Sequence, residues 1–199
     1  LIENKVERYG YDNGKYGAEA RFVKIGKTLF CVFPGSNHWR DWVENFLFWR
    51  KIVRGGIVYQ KSWYTYAFRF YRYYKTEIEP YNDIDYIVLL GHSLGGAVVN
   101  ALSGIFLDYE RDNSKLEVWG YGLPVPYERY MNHRLFTRRK DKIPVPERLH
   151  GCCHNYRNRG DIVPFLPFWR KPSYITVLTD APWRNFIISH LDYVKKFWY

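Results

Sequence analysis

Ser93 stands inside Gly91-His92-Ser93-Leu94-Gly95, a G-x-S-x-G pattern with the apolar run "YIVLL" before it and the helical pattern "GGAVVNAL" after it. Strand, sharp turn and helix in that order are what an exposed nucleophilic serine requires, because the backbone must bend hard enough to lift Oγ off the sheet edge. The flanking glycines leave room for the bend, and Gly95, Gly96 and Ala97 let the helix come close to the strand. A serine hydroxyl attacks an acyl carbon only when a base takes its proton and an acid orients that base. The competing reading is a structural or phosphate-binding turn; a bare G-x-S-x-G occurs often by chance, whereas one bracketed by "YIVLL" and "GAVVNAL" seldom does.

Six histidines compete for the base. His92 lies inside the turn and reads as a packing or hydrogen-bonding residue, pointing away from where the base must stand. His38 falls in the helix after Gly35, and His133, His150 and His154 precede the best acid. Where serine, acid and histidine follow one another in that chain order, the base comes last, and only His190 follows every late strand. For the acid, "YRNRGDIVPFLP" puts Asp161 in a loop just past a strand, on the edge where the serine should emerge. Asp180, which also begins a loop, and Asp192, two positions from His190, are its rivals. Donors for a developing oxyanion are offered by the backbone N–H of Leu94 and by Ser36 in "FCVFPGSNHWRDW", which brings both N–H and hydroxyl. Ser36 equally suits an N-cap of the helix that follows, and the two roles are compatible.

The elements that must position these groups are legible from pattern. "AEARFVKI" and "KTLFCVF" predict a hairpin turning at Gly26 and Lys27. Trp39, Trp42, Val43, Phe46 and Leu47 recur at helical spacing, and so do Tyr59, Trp63, Tyr66, Ala67, Phe70, Tyr71 and Tyr74 in a helix predicted over residues 59–79, ending before Pro80. "IDYIVLL" reads as a strand buried on both faces, and residues 94–109 as the helix after the serine. "KLEVWGYG" and "HGCCHNYRN" read as two further strands entering loops, "SYITVLT" as a weaker one, and "SHLDYVKKFW" as a closing helix. Helices alternating with strands after an initial hairpin predict an α/β fold with a mainly parallel sheet and an antiparallel edge.

At 199 residues, 47% hydrophobic and 20% aromatic, the chain has material for one substantial core, and residues 1–199 read as a single domain. Charged or glycine residues interrupt every apolar stretch before membrane-spanning length, so no transmembrane segment is expected. "LIENKVERYG" has neither an initiator Met nor a long apolar leader, which fits a trimmed start and leaves the compartment open. Cys31 and the adjacent Cys152 and Cys153 form no spaced disulfide framework and read as buried free thiols, as in a reducing compartment. Neither a C-x-x-C pair nor an H-E-x-x-H helix is present, so no metal site is expected. A net charge of +10 and a pI near 9.4 favour anionic partners. Aromatics interleaved with cations in "RFYRYYK" and "FWRK" suit a membrane interface or a base-stacking surface, beside the simpler reading of a solvated basic face.

Taken together, "FPGSNHWRDWVENF", "LLGHSLGGAVVNAL", "GYGLPVP" and "YRNRGDIVPFLP", followed by His190, resemble the class 3 lipase family, which includes fungal triacylglycerol lipases and plant acylhydrolases. The resemblance implies an α/β-hydrolase fold with a mainly parallel central sheet flanked by helices. It implies Ser93 as nucleophile, His190 as base, Asp161 as orienting acid, and Ser36 and Leu94 as oxyanion donors. It also suggests that Asn45 steadies the Ser36 loop, and that the helix over residues 39–49 is either a lid or a core element. "IVYQKSWY" departs from the family, carrying Tyr59 where a histidine is usual. The expected activity is hydrolysis of acyl esters, those of lipids foremost, with no metal or organic cofactor. The expected partners are a lipid or other acyl ester and an anionic membrane surface, with nucleic acid disfavoured. Phospholipase or thioesterase chemistry would use the same residues, and a non-catalytic lipid-surface or nucleic-acid binding module is the alternative of another class.

Overall fold

The computed structural model describes residues 9–10, 19–35, 51–54, 57–81, 83–110, 115–124, 127–129, 149, 151–165, 175–178 and 190. After a short strand β1 (Tyr9–Gly10), strands β2 (Glu19–Ile25) and β3 (Thr28–Phe33) form the expected antiparallel hairpin. Gly26 makes its turn at φ +58°, a left-handed conformation that costs glycine little.

From β3 onward the sheet is parallel. Strand β6 (Tyr86–His92) lies beside β3, and β7 (Leu116–Tyr121), β9 (Cys153–Asn158) and β10 (Ile175–Leu178) follow in space. The order β1-β2-β3-β6-β7-β9-β10 is a seven-stranded mixed sheet whose antiparallel edge is the hairpin. A separate antiparallel sheet, β4 (Lys51–Arg54), β5 (Ile57–Gln60) and β8 (Tyr127–Arg129), was not apparent from the pattern of the sequence.

That second sheet corrects the predicted helix over residues 59–79. Tyr59 belongs to β5, and helix α1 (Lys61–Tyr73) begins two residues later. The chance spacing of Tyr59 and Trp63 mimics a helical pair because both are buried, one from a strand and one from a helix. Gln60 ends the strand and caps the helix: its Oε1 accepts from the N–H groups of Ser62 at 2.7 Å and Trp63 at 3.1 Å. At its other end α1 passes into a wider π turn (Tyr74–Ile78) and a 3-10 turn (Glu79–Tyr81), so the helical path runs through Pro80.

Helix α2 (Leu94–Glu110) packs against β6 and β7, with residues 95–106 all buried. Helix α1 lies beside α2, where Tyr71 and Tyr74 each meet Phe106 edge-on at 5.3 Å, and Phe70 meets Phe33 of β3 at 4.9 Å. These aromatic contacts join two helices and the sheet into one apolar cluster. Strand β6 is not equally buried on its two faces, as its uniform apolar run suggested. Ile87, Leu89 and Gly91 are buried under the helices, whereas Tyr86 is exposed and Val88 and Leu90 are half-buried. Among the described residues, no helix is long and apolar enough to cross a membrane.

Candidate active site

Ser93 occupies the junction of β6 and α2 with φ +54°, and it is the one non-glycine residue at positive φ among those described. A β-carbon is disfavoured there, so the surrounding structure must hold the turn in place. The Ser93 N–H donates to the Tyr121 carbonyl at 2.8 Å, and the Ser93 carbonyl accepts from the Ala97 N–H at 3.3 Å. The glycines are steric necessities. A Cβ on Gly91 would lie 2.3 Å from the Gly95 carbonyl oxygen, and one on Gly95 would lie 2.0 Å from the Phe33 carbonyl oxygen. Helix and strand ends therefore touch backbone to backbone, as the sequence suggested for Gly95.

The loop after β3 reaches the same place. A Cβ on Gly35 would lie 3.1 Å from Ser93 Cβ and 3.3 Å from His92 Nδ1. Leu94 opens α2, where the first backbone N–H groups have no partner within the helix and can meet an anion. Ser36, the other expected oxyanion donor, lies outside the described residues, as do Asn45 and the helix expected over residues 39–49. The rival acids Asp180 and Asp192 lie outside them too, as does the closing helix apart from His190.

Asp161 and His190 come together. Asp161 follows β9 through a turn in which its N–H donates to the Asn158 carbonyl at 3.2 Å and Gly160 takes φ +93°. The carboxylate is 1% exposed, so both of its oxygens need donors. Oδ1 accepts from the Val163 N–H at 2.9 Å and Oδ2 lies 3.0 Å from His190 Nδ1. A carboxylate oxygen can only accept, so the proton of this contact is carried by His190 Nδ1.

His92 corrects one expectation. It does not point away from His190: the two rings lie 4.8 Å apart, and His92 Nε2–H donates to the His190 main-chain carbonyl at 2.8 Å. Burial, followed by the neighbouring His190, lowers the His92 pKa below its ordinary value, so its ring is held neutral. The period of β6 puts His92 on the face away from α2, and that was readable; its contact with a residue 98 positions later was not. Chemically, a strained serine turn at the start of a helix lies beside a buried histidine–carboxylate pair. Those are the parts that acyl transfer needs.

Residues 30–171 match the family described as "Lipase (class 3)". Among solved structures, the chain is similar to the triacylglyceride lipase of Rhizomucor miehei, with 20% identity and a TM-score of 0.54 over 81% of this chain and 61% of that one. It is also similar to a triacylglycerol lipase whose catalytic centre is formed by a serine protease triad, with 19% identity and a TM-score of 0.58 over 88% and 66% of the two chains. A lipase from Rhizopus microsporus var. chinensis gives 17% identity and a TM-score of 0.55 over 83% and 58%. The Rhizomucor miehei enzyme is matched over 61% of its length, so the chain corresponds to only part of that lipase. No curated protein matches by sequence. At these identities the likeness is one of fold, and the fold is that of the α/β-hydrolases: a mostly parallel sheet flanked by helices.

Proposed function

The chain belongs to the class 3 lipase family, and from that premise we propose that it is a serine ester hydrolase acting on acyl esters of lipids, with Ser93 as nucleophile, His190 as base and Asp161 as the acid that orients it. The observation that carries this reading is the buried contact between Asp161 Oδ2 and His190 Nδ1, 3.0 Å long, beside the positive-φ turn at Ser93. One of the solved lipases of similar fold has a serine protease triad as its catalytic centre, which supports the same assignment.

In the proposed reaction His190 Nε2 takes the Ser93 hydroxyl proton as Oγ bonds to the ester carbon. The carbonyl oxygen becomes an oxyanion facing the Leu94 N–H, with Ser36 as the second donor. Collapse breaks the ester C–O bond, and the leaving alkoxide takes the proton from His190. Water repeats the sequence on the acyl-enzyme, giving the free acid and regenerating Ser93. Each proton is passed between protein, substrate and water, so the cycle closes without a cofactor. The net charge of +10 supports anionic phospholipid as the interface at which such a substrate is met.

A fluorophosphonate probe and p-nitrophenyl butyrate test the assignment. The expected result is labelling at Ser93 and ester turnover, both lost in Ser93→Ala; turnover retained in that variant would sink it. Vesicles of anionic and of neutral phospholipid, compared at rising salt, test the interface.

A further inference from the structure

The helix that follows the serine contains a fully buried polar side chain in an otherwise apolar stretch, Asn100 of "GGAVVNAL", and β9 contains another, Asn155. The two amides face each other and exchange hydrogen bonds. Asn100 Nδ2 donates to Asn155 Oδ1 at 2.9 Å, and Asn155 Nδ2 donates to Asn100 Oδ1 at 3.0 Å. Asn100 Nδ2 also donates to the Gly96 carbonyl at 2.9 Å, one turn back toward Ser93. The strand between them makes way. Gly120 of β7 is the register partner of Asn155, and a Cβ there would lie 2.4 Å from Asn155 Oδ1 and 3.1 Å from Asn100 Nδ2. Three elements are thus shaped around one amide pair.

Burying two amides is not an efficient way to stabilise a helix on a sheet, since apolar side chains of the same outline would hold it at least as firmly. What two reciprocal bonds supply is register: they fix the helix against the strand along both directions, where an apolar contact would permit sliding. The two elements so joined are the ones on which the proposed chemistry depends. Helix α2 starts at the serine turn, and β9 runs into the turn that presents Asp161.

We propose that Asn100 and Asn155 are positioning residues that set the Ser93 turn against the Asp161–His190 arm. This inference rests on the hydrolase reading above, and its mechanical part can be read without it. Ser103, whose hydroxyl donates to the Asn100 carbonyl at 2.7 Å, extends the polar seam to Cys153, whose thiol lies 3.5 Å from Ser103 Oγ.

The test compares the wild-type chain with the double variants Asn100→Leu/Asn155→Leu and Asn100→Ala/Asn155→Ala, which remove the amides in pairs so that neither is left buried alone. Amide exchange is read at Ala97, which bonds to the Ser93 carbonyl, at Val163, which bonds to Asp161, and at Val23 in the distant hairpin. Exchange should speed up at Ala97 and Val163 by about tenfold with Val23 within about twofold, and kcat for p-nitrophenyl butyrate should fall by about tenfold with KM within about twofold. A folded double variant with wild-type kcat overturns the proposal, and so does equal loosening at all three amides, which would mark the pair as general stabilisation. If the wild-type chain hydrolyses no ester, the hydrolase reading fails and exchange alone decides: loosening confined to Ala97 and Val163 supports the seam, and any other pattern overturns it.

Discussion

His92 Nε2 lies 2.8 Å from the main-chain carbonyl oxygen of His190, so the residue before the serine holds the backbone of the histidine proposed to serve it. The contact crosses 98 positions of sequence and joins the end of β6 to a residue beyond β10. A ring at His92 therefore has two functions, a packing surface at 4.8 Å from the His190 ring and a donor to its main chain.

His92→Phe keeps the packing surface and deletes the donor. Ester turnover should fall by about tenfold in kcat/KM, since small displacements of a base are amplified in the rate. Steady-state kinetics on p-nitrophenyl butyrate measures it, and wild-type values in a folded variant would show that the bond does not position His190.

The lowered pKa of His92 carries a sign. Burial and the adjacent His190 ring disfavour its charged form, outweighing the bond to the His190 main chain and the attraction of Asp161. The unfolded chain, whose histidine has the ordinary value of 6.5, therefore binds the proton more readily than the folded one. The stabilisation is complete above that value and is lost as pH falls through it toward and past the lowered folded value. Urea midpoints at about pH 7.5 and about pH 5 should drop more for the wild type than for His92→Phe; equal drops would remove His92 as a source of acid sensitivity.

Asp161→Asn retains an acceptor for the Val163 N–H but offers an amide where a carboxylate faces His190 Nδ1. The imidazole then loses the partner that holds its proton on Nδ1, and kcat should fall by about a thousandfold or more while substrate binding persists. Rapid fluorophosphonate labelling of this variant at the wild-type rate would exclude Asp161 from the proposed role.

Gly95 and Gly26 separate steric need from backbone need. A Cβ on Gly95 would overlap the Phe33 carbonyl oxygen at 2.0 Å, and backbone cannot move aside without shifting β3 or α2. Gly95→Ala should cost about 3 kcal/mol or more in urea unfolding. Gly26 has φ +58° with no atom within 4 Å of a Cβ, so Gly26→Ala should cost about 1 kcal/mol through conformation alone. Equal costs at the two sites would contradict the close contact of strand and helix at the serine turn.

The hairpin at Gly26, the strand–turn–helix around Ser93 and the strand before Asp161 were all legible in the sequence, because each depends on side chains only a few positions apart. Alternating and helical spacing reports which face of a segment is buried, and glycine reports where the backbone must bend. The same local reasoning misassigned Tyr59, whose burial comes from β5, and overlooked the small sheet that contains it. Chain order and the family resemblance already pointed to Asp161 and His190 as partners, but tertiary structure alone decided that Asn100 meets Asn155, 55 positions apart, and that His92 meets His190, 98 apart. The order of parallel strands sets these contacts. Each crossover carries the chain to a neighbouring position in the sheet, so the hydrophobic burial that orders the strands also selects the polar groups at their edge, and no local pattern in the chain records that selection.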